Sequence, residues 1–93
     1  MWGVMTALVY GWARLHDCRT ASELRWTVED YRQNFPCLEC REHFDELLSQ
    51  HPYPLEYVRT CDDVCVWTWM THNLVNVRLE KPWVSFVPCD FCV

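Results

Sequence analysis

Two cysteines separated by two residues, Cys37 and Cys40, directly follow Pro36 at the start of a predicted helix. Sulfurs at this spacing can close a tight disulfide, and the free backbone N–H groups of a helix N-terminus favour the thiolate form. The arrangement suits thiol–disulfide exchange. The same spacing also supplies half of many zinc sites, so the motif by itself leaves both chemistries open.

A second pair with the same spacing, Cys89 and Cys92, lies at the end of the sequence. Pro82 and Pro88 argue against a continuous helix there, and a dithiol on a short mobile tail could swing between sites. A zinc site built from both pairs is an alternative, although Cys40 and Cys89 lie much farther apart than the about 15–20 residues of a zinc ribbon.

Three further cysteines, Cys18, Cys61 and Cys65, complete the count of seven. A bridge between Cys61 and Cys65, one helical turn apart, and a bridge from Cys18 to Cys61 are equally acceptable. The odd total leaves at least one thiol free or intermolecular.

A polar stripe at helical spacing carries Trp69, His72, Asn73 and Asn76. Asparagine is unfavourable inside a helix because its amide competes for backbone hydrogen bonds. The stripe is therefore expected to meet something polar and flat. A buried patch of amides satisfied within the chain is the alternative.

The elements that must position these residues follow from composition and period. A chain of 93 residues with 51% hydrophobic and 23% charged residues is one small folded domain. The apolar periodicity is helical throughout, and Ser22 is the expected N-cap of the second helix. We predict an all-α four-helix bundle with a short C-terminal tail or fifth helix. Its helices cover about 2–15, 22–35, 37–50 and 61–80, and a redox tail covers 83–93.

Charge and glycine content exclude several function classes. The net charge of −5 argues against a nucleic-acid partner. The two glycines argue against a Gly-rich phosphate loop, and the longest charge-free stretches are too short for a membrane span. Because no targeting signal is visible, we expect a cytoplasmic protein.

The Pro-Cys-x-x-Cys motif is followed by a second motif, Trp67 to Pro82, of the form W-x4-H-N-L-V-N-V-R-L-E-K-P. Together they resemble the FAD-linked sulfhydryl oxidase family, the Erv and augmenter-of-liver-regeneration group. The resemblance covers about residues 2–82, and Trp2-Gly3 is similar to the family's opening helix. The short chain looks most like members encoded by large DNA viruses, for which the cytoplasm would be that of the host.

The resemblance implies a flavin-dependent thiol oxidase, commonly a homodimer, that makes disulfides in client proteins. Electrons would pass from a client dithiol to Cys37–Cys40, then to FAD and to oxygen, with hydrogen peroxide as product. Cys40 would lie beside the flavin and Cys37 would be attacked from outside. Cys89 and Cys92 would form the mobile shuttle pair, and no metal is expected.

The resemblance also implies a set of cofactor-binding residues, among which the polar and cationic ones would hold the adenine, ribose and phosphates. They are Trp2, Gly3, Thr6, Tyr10, Cys40, Trp67, Trp69, His72, Asn73, Val75, Asn76, Arg78, Leu79 and Lys81. In the first helix the family pattern is G-x3-W-x3-H. We align it on Trp2-Gly3, because the alternative on Trp12 and His16 needs a larger deletion. This alignment leaves His16 on the surface.

Two hypotheses that involve no catalysis are alternatives to the interpretation as an oxidase. A zinc-stapled interaction module would use Cys37, Cys40, His43 and the tail pair as ligands. A disulfide-stapled helical binding protein would use its tryptophans as interface anchors.

Overall fold

The structure, a computed structural model, describes residues 4–92, with side chains from residue 8 onward. Within the described range, four α-helices build the fold: α1 (Val4–Asp17), α2 (Ala21–Asn34), α3 (Leu38–Gln50) and α4 (Cys61–Arg78), with a 3₁₀ turn over Leu55–Tyr57 before α4. Residues 4–92 contain no β-strand. The predicted all-α class is confirmed, and the described part of the tail, to residue 92, forms no fifth helix.

Side-chain caps fix where the helices begin. The Thr20 hydroxyl accepts the Glu23 N–H at 3.1 Å, so Thr20 is the N-cap of α2, and the prediction of Ser22 is wrong. Ser22 already lies inside the first turn. Thr60 and Asp63 form a reciprocal capping box at the start of α4, with bonds of 3.1 and 3.0 Å. Capping satisfies N–H groups that a helix start would otherwise leave unpaired.

The core is formed where the apolar faces of the helices meet. On α2 the buried positions include Leu24, Val28 and Tyr31, which the helical spacing predicts. Trp67 of α4 is fully buried, and its indole N–H donates to the Tyr53 carbonyl at 3.0 Å. α2 packs against α3 and α4, and α1 packs against the other three helices. These contacts account for most of the bundle's buried apolar surface.

Close approach of α1 to α2 depends on Gly11. A Cβ at this position would lie 3.1 Å from two carbons of the Phe35 ring. The Tyr31 hydroxyl donates to the Gly11 carbonyl, and Arg14 of α1 forms a 2.7 Å ion pair with Asp30 of α2. These contacts hold the aromatic rings of α2 directly against the backbone of α1.

After α4 the chain reverses and runs back along the same helix. Glu80 adopts a left-handed conformation with φ of 59°, and the Lys81 N–H donates to the Asn76 carbonyl at 2.8 Å. This pattern is that of a Schellman C-cap, which satisfies the last carbonyls of the helix. The tail therefore returns toward the beginning of α4.

Candidate active site

The N-terminus of α3 carries a disulfide between Cys37 and Cys40, with Cα atoms 5.1 Å apart. Cys37 is the N-cap, and its sulfur accepts the Cys40 backbone N–H at 3.2 Å. The positive end of the helix dipole and this N–H both stabilise a thiolate when the disulfide is opened. Cys37 is 9% exposed, whereas Cys40 is half-buried.

Cys40 lies on the wall of a cavity of about 530 Å³ to which all four helices contribute. Its volume falls within the range of about 300–1,000 Å³ that is typical of small-molecule sites. The lining is mainly aliphatic and aromatic. It includes Leu8, Gly11, Trp12 and Leu15 from α1, Tyr31 and Phe35 from the α2 end, Phe44 and Leu47 from α3, and Leu74 and Val75 from α4. One sulfur of the Cys37–Cys40 disulfide thus borders an apolar chamber.

Two arginines bring positive charge to the cavity, Arg41 and Arg78. Arg41 donates from Nη1 to the Gln33 carbonyl at 2.9 Å. Its Nε is buried and has no hydrogen-bond partner among the residues that the structure describes. Arg78 is 44% exposed and 3.9 Å from the Glu46 carboxylate, a weak contact that an incoming anion could replace. Glu39 and Glu46 also line the cavity, so an acidic group that enters it must replace Glu46 at Arg78 and pair with Arg41.

Trp12 and His72 stack on each other at the edge of the cavity, with ring centroids 4.4 Å apart and planes inclined by 25°. His16 approaches the same imidazole edge-on at 6.2 Å. Burial, with His16 and Lys81 adding positive charge nearby, lowers the pKa of His72. Trp12 and His16, the two residues of the alternative alignment, are thus the residues of α1 whose rings contact His72, and His16 is exposed as expected.

Some of the predicted cofactor residues come together at the cavity and others do not. Those that line it are Cys40, Val75, Arg78 and Leu79. The predicted residues that do not line it are Tyr10, Trp67, Trp69, His72, Asn73, Asn76 and Lys81. Trp2 and Gly3 lie outside the described residues, and so does the side chain of Thr6.

The two asparagines of the polar stripe bind the tail. Asn73 accepts the Val84 N–H at 2.8 Å and donates to its carbonyl at 3.3 Å, and Asn76 donates to the Pro82 carbonyl at 3.3 Å. The Trp69 indole N–H donates to the Val84 carbonyl at 2.8 Å. The flat polar object that the stripe meets is thus the chain's own backbone, which supports the interpretation as satisfied amides.

The tail cysteines are bonded to α4. Cys92 pairs with Cys61 and Cys89 with Cys65, with Cα separations of 5.5 and 6.1 Å. The expected Cys89–Cys92 pair is therefore not formed, and both pairings considered for Cys61 are wrong. These predictions fail because the tail folds back along α4, a path that the spacing of the cysteines in the sequence does not reveal.

Cys18 is the remaining thiol; it is buried and unpaired in disulfides. Its sulfur donates to the Thr27 hydroxyl and the Arg14 carbonyl, each at 3.4 Å, and burial raises its pKa. The zinc set of Cys37, Cys40, His43 and the tail pair is not assembled either, because the tail pair lies against Cys61 and Cys65 of α4 and not beside Cys37 and Cys40.

Sequence reasoning missed most of the cavity wall, above all Trp12, Phe35 and His43. A signal was present for α3, where Phe44 shares a helical face with Cys37 and Cys40 and now lines the same cavity. For Trp12 the signal was its four-residue spacing to His16. Among the described residues, no helix has the length and apolar character needed to cross a bilayer.

Comparisons with known proteins show which family model and which named proteins the chain is similar to. The model of the Erv1/Alr family matches residues 1–91. A rice protein named sulfhydryl oxidase 1 is 35% identical over 81 residues, which are 87% of this chain and 15% of that protein. Mouse sulfhydryl oxidase 2 is 42% identical over 72 residues, 66% of this chain and 10% of its own length.

A viral protein is also similar. The FAD-linked sulfhydryl oxidase of African swine fever virus is 29% identical over 76 residues, covering 82% of this chain and 56% of the viral protein. The chain thus spans a small part of the rice and mouse relatives and little more than half of this viral one. No solved structure matches the chain.

Proposed function

The chain belongs to the Erv1/Alr family, and we propose that it is a FAD-linked thiol oxidase that makes disulfides in client proteins. One observation carries the proposal. The Cys37–Cys40 disulfide begins a helix, and its second sulfur borders an apolar cavity of about 530 Å³. A disulfide in this position can receive electrons from a dithiol on one side and deliver them to a bound acceptor on the other.

The residues of the cavity fit a flavin. Trp12, Phe35 and Phe44 supply aromatic surface for a planar ring system. The unpartnered Arg41 Nε and the weakly paired Arg78 supply cationic donors for phosphate oxygens. When bound, FAD would supply a two-electron acceptor that oxygen reoxidises with formation of hydrogen peroxide.

The chain's own chemistry is thiol–disulfide exchange at the N-terminus of α3. A client thiolate attacks the Cys37 sulfur, a mixed disulfide forms, and Cys40 leaves as a thiolate on the cavity side. The second client thiol then attacks the client sulfur of the mixed disulfide. Cys37 leaves as a thiolate, which the Cys40 N–H stabilises because it already donates to that sulfur. The client gains a disulfide, and the pair Cys37–Cys40 takes up two electrons.

The exposure of the Cys37 sulfur, which a client thiolate attacks, limits which clients can react. Cys37 is only 9% exposed, so a thiol must reach into a recess to meet it. Small dithiols and extended protein segments satisfy this requirement better than cysteines on a rigid folded surface. The tail does not enter this electron path, because both of its cysteines are bonded to α4.

The test combines a spectrum with an activity. The purified protein is expected to carry a bound flavin and to consume oxygen in the presence of a small dithiol. Cys40→Ser should retain the flavin but lose roughly 10³-fold or more in oxygen consumption. A protein without flavin, or a Cys40→Ser variant with undiminished turnover, would contradict the proposal. Cys18→Ser is the matched control, since Cys18 lies outside the cavity lining.

We also propose that the active form is a homodimer in which α1 and α2 meet their copies. Trp26 is 66% exposed and Tyr10 is 38% exposed. Both rings flank the Arg14 guanidinium, at 5.8 and 5.6 Å from their centroids. Sedimentation equilibrium should find a dimer for the unaltered chain and a weakened one for Trp26→Glu. Equal association of the two would contradict this interface.

A further inference from the structure

The return of the tail along α4 assembles a second group of sulfurs away from the cavity. Cys61 and Cys65 lie in the first turns of α4, and the tail brings Cys89 and Cys92 to them. The sulfurs of Cys65, Cys89 and Cys92 all lie within 4.8 Å of one another, and Cys61 is bonded to Cys92. We call these four residues the α4–tail cluster. The proposed electron path makes no use of it.

We propose that the α4–tail cluster, when its four cysteines are reduced, binds one zinc ion through four thiolates. The spacing is that of structural zinc sites, in which ligands come in pairs separated by two to four residues. Cys61 and Cys65 have three residues between them, and Cys89 and Cys92 have two. Neither pair alone can close a four-ligand site, but the fold brings both pairs to one place.

The sulfurs of the cluster reach tetrahedral coordination by small movements once the disulfides open. Zinc–sulfur bonds of about 2.3 Å place the sulfurs of a tetrahedral site about 3.8 Å apart. Cys65, Cys89 and Cys92 hold their sulfurs within 4.8 Å of one another, and Cys61 joins them through its bond to Cys92. Within each bonded pair the sulfurs are about 2 Å apart and must separate by about 1.8 Å. The Cα separations of 5.5 and 6.1 Å let side-chain rotation alone move the bonded sulfurs apart to this distance.

Burial and charge also suit a closed structural site. Cys65 is buried and the other three cysteines are half-buried. Four thiolates around one zinc ion leave a net negative charge, which the positive N-terminal end of α4 offsets. Phe91 lies between the two tail cysteines in sequence, and the Arg19 guanidinium lies 4.7 Å from the centroid of its ring. Asp62 and Asp63 add negative charge near the cluster. The Asp63 carboxylate is, however, already held by the backbone N–H groups of Arg59 and Thr60.

Zinc and the two disulfides are alternative states of the same sulfurs. Two dithiol molecules supply the four electrons that open the two disulfides, and each dithiol becomes a disulfide in turn. Binding of Zn²⁺ by the four thiols releases four protons. In the reverse direction, two molecules of a disulfide oxidant accept four electrons from the loaded site and take up four protons to become dithiols, which restores both protein disulfides and expels the metal. The tail is attached to α4 in either state.

The test is a metal titration of the full, flavin-loaded chain without oxygen. Cys37→Ser with Cys40→Ser removes the other reactive pair, a dithiol reduces the cluster, and the dithiol is then removed by gel filtration. Cobalt(II) should bind at one ion per chain with the absorption of a tetrathiolate site, and zinc should displace it. Absence of stoichiometric cobalt binding would overturn the proposal.

Single serine variants locate the site. In the same background, Cys65→Ser should weaken metal binding by at least about 100-fold. Cys18→Ser, a buried cysteine outside the cluster, should leave the affinity unchanged. Unchanged affinity in Cys65→Ser would overturn the assignment.

A measurement on the unaltered chain covers the case in which Cys65→Ser fails to fold. Zinc added to the reduced protein should protect Cys61, Cys65, Cys89 and Cys92 from alkylation, while Cys37 and Cys40 react at the metal-free rate. Protection of Cys37 and Cys40 instead would overturn the proposal. Because both experiments exclude oxygen and measure no turnover, their failure is distinguishable from failure of the oxidase proposal.

Discussion

The Cys37–Cys40 pair and the α4–tail cluster share a local setting, since each begins at the first turn of a helix. They differ in what their sulfurs face. Cys40 borders an open apolar cavity, whereas Cys65 is covered by the returning tail and bonded to it. A helix N-terminus favours thiolates in both places. The comparison therefore indicates that tertiary surroundings, more than local spacing, separate a redox centre from a cross-link.

The largest effect should come from removing cross-links, and it should differ between the two regions. Replacing all four cysteines of the α4–tail cluster by serine opens loops whose ends are 31 and 24 residues apart and should lower the free energy of unfolding by about 3 kcal/mol or more. Cys37→Ser with Cys40→Ser opens a loop with a separation of only 3 residues, and because loop entropy grows with length the loss should be clearly smaller. Denaturant unfolding of both variants measures the difference. Equal losses would break the comparison.

The next effect tests whether the tail is held by side chains as well as by sulfur. Asn73→Ala removes both hydrogen bonds to Val84, so that its N–H loses its side-chain partner while its carbonyl keeps the Trp69 indole, at a cost of about 1 kcal/mol. Hydrogen exchange of the Val84 amide should accelerate strongly in this variant. Asn34→Ala, on the exposed end of α2, is the control. An unchanged exchange rate at Val84 would mean that the disulfides alone hold the tail.

A third effect of comparable size sharpens the cavity side of the comparison. Trp12→Leu keeps an apolar side chain but removes the ring that stacks on His72. Flavin retention is expected to weaken about tenfold, equivalent to about 1.4 kcal/mol. Equilibrium dialysis against free flavin measures it, with Trp83→Leu as the control, since Trp83 is exposed and outside the cavity lining. A variant that holds flavin as tightly as the unaltered chain would remove Trp12 from the site.

The sequence allowed prediction of the helices because they depend on short-range spacing, whereas the Cys37–Cys40 disulfide was implied by the family resemblance, since its spacing alone also suited zinc. Leu24, Val28 and Tyr31 are buried as their helical spacing indicates. The tail could not be predicted in this way. Its path depends on a left-handed residue at Glu80 and on amides that bind across the turn, and neither leaves a periodic pattern.

The cavity was partly predictable, and its missing residues have a common origin. Arg78 and Val75 belong to a motif with fixed spacing, and both line the cavity. Trp12 lies on α1 and Phe35 at the end of α2, and packing between the helices sets where these two residues lie relative to α4. Gly11, which lets Phe35 approach α1, is a single small residue whose role is visible only in three dimensions. Motif spacing therefore finds the residues of one helix more readily than their partners on another.

The smallest effect concerns pH and lies on the cavity side. Burial lowers the pKa of His72 from its ordinary value of 6.5. Below that value the unfolded chain binds protons that the folded chain resists, so the free energy of unfolding should fall as the pH falls below about 6.5. His72→Gln should flatten this dependence. His51, whose pKa burial also lowers, should leave a residual slope. A slope unaffected by His72→Gln would contradict this account.

The two disulfides that bond the tail to α4 have a topological consequence. The bond between Cys65 and Cys89 closes a covalent ring that contains most of α4, the reversal at Glu80 and the exposed residues Trp83 to Val87. A protease that cuts one peptide bond in this exposed stretch opens the ring but releases no fragment. The cut protein would migrate as one chain until a reductant separates its two pieces. An exposed apolar stretch of the described chain is thus one whose cleavage leaves the molecule in a single covalent piece.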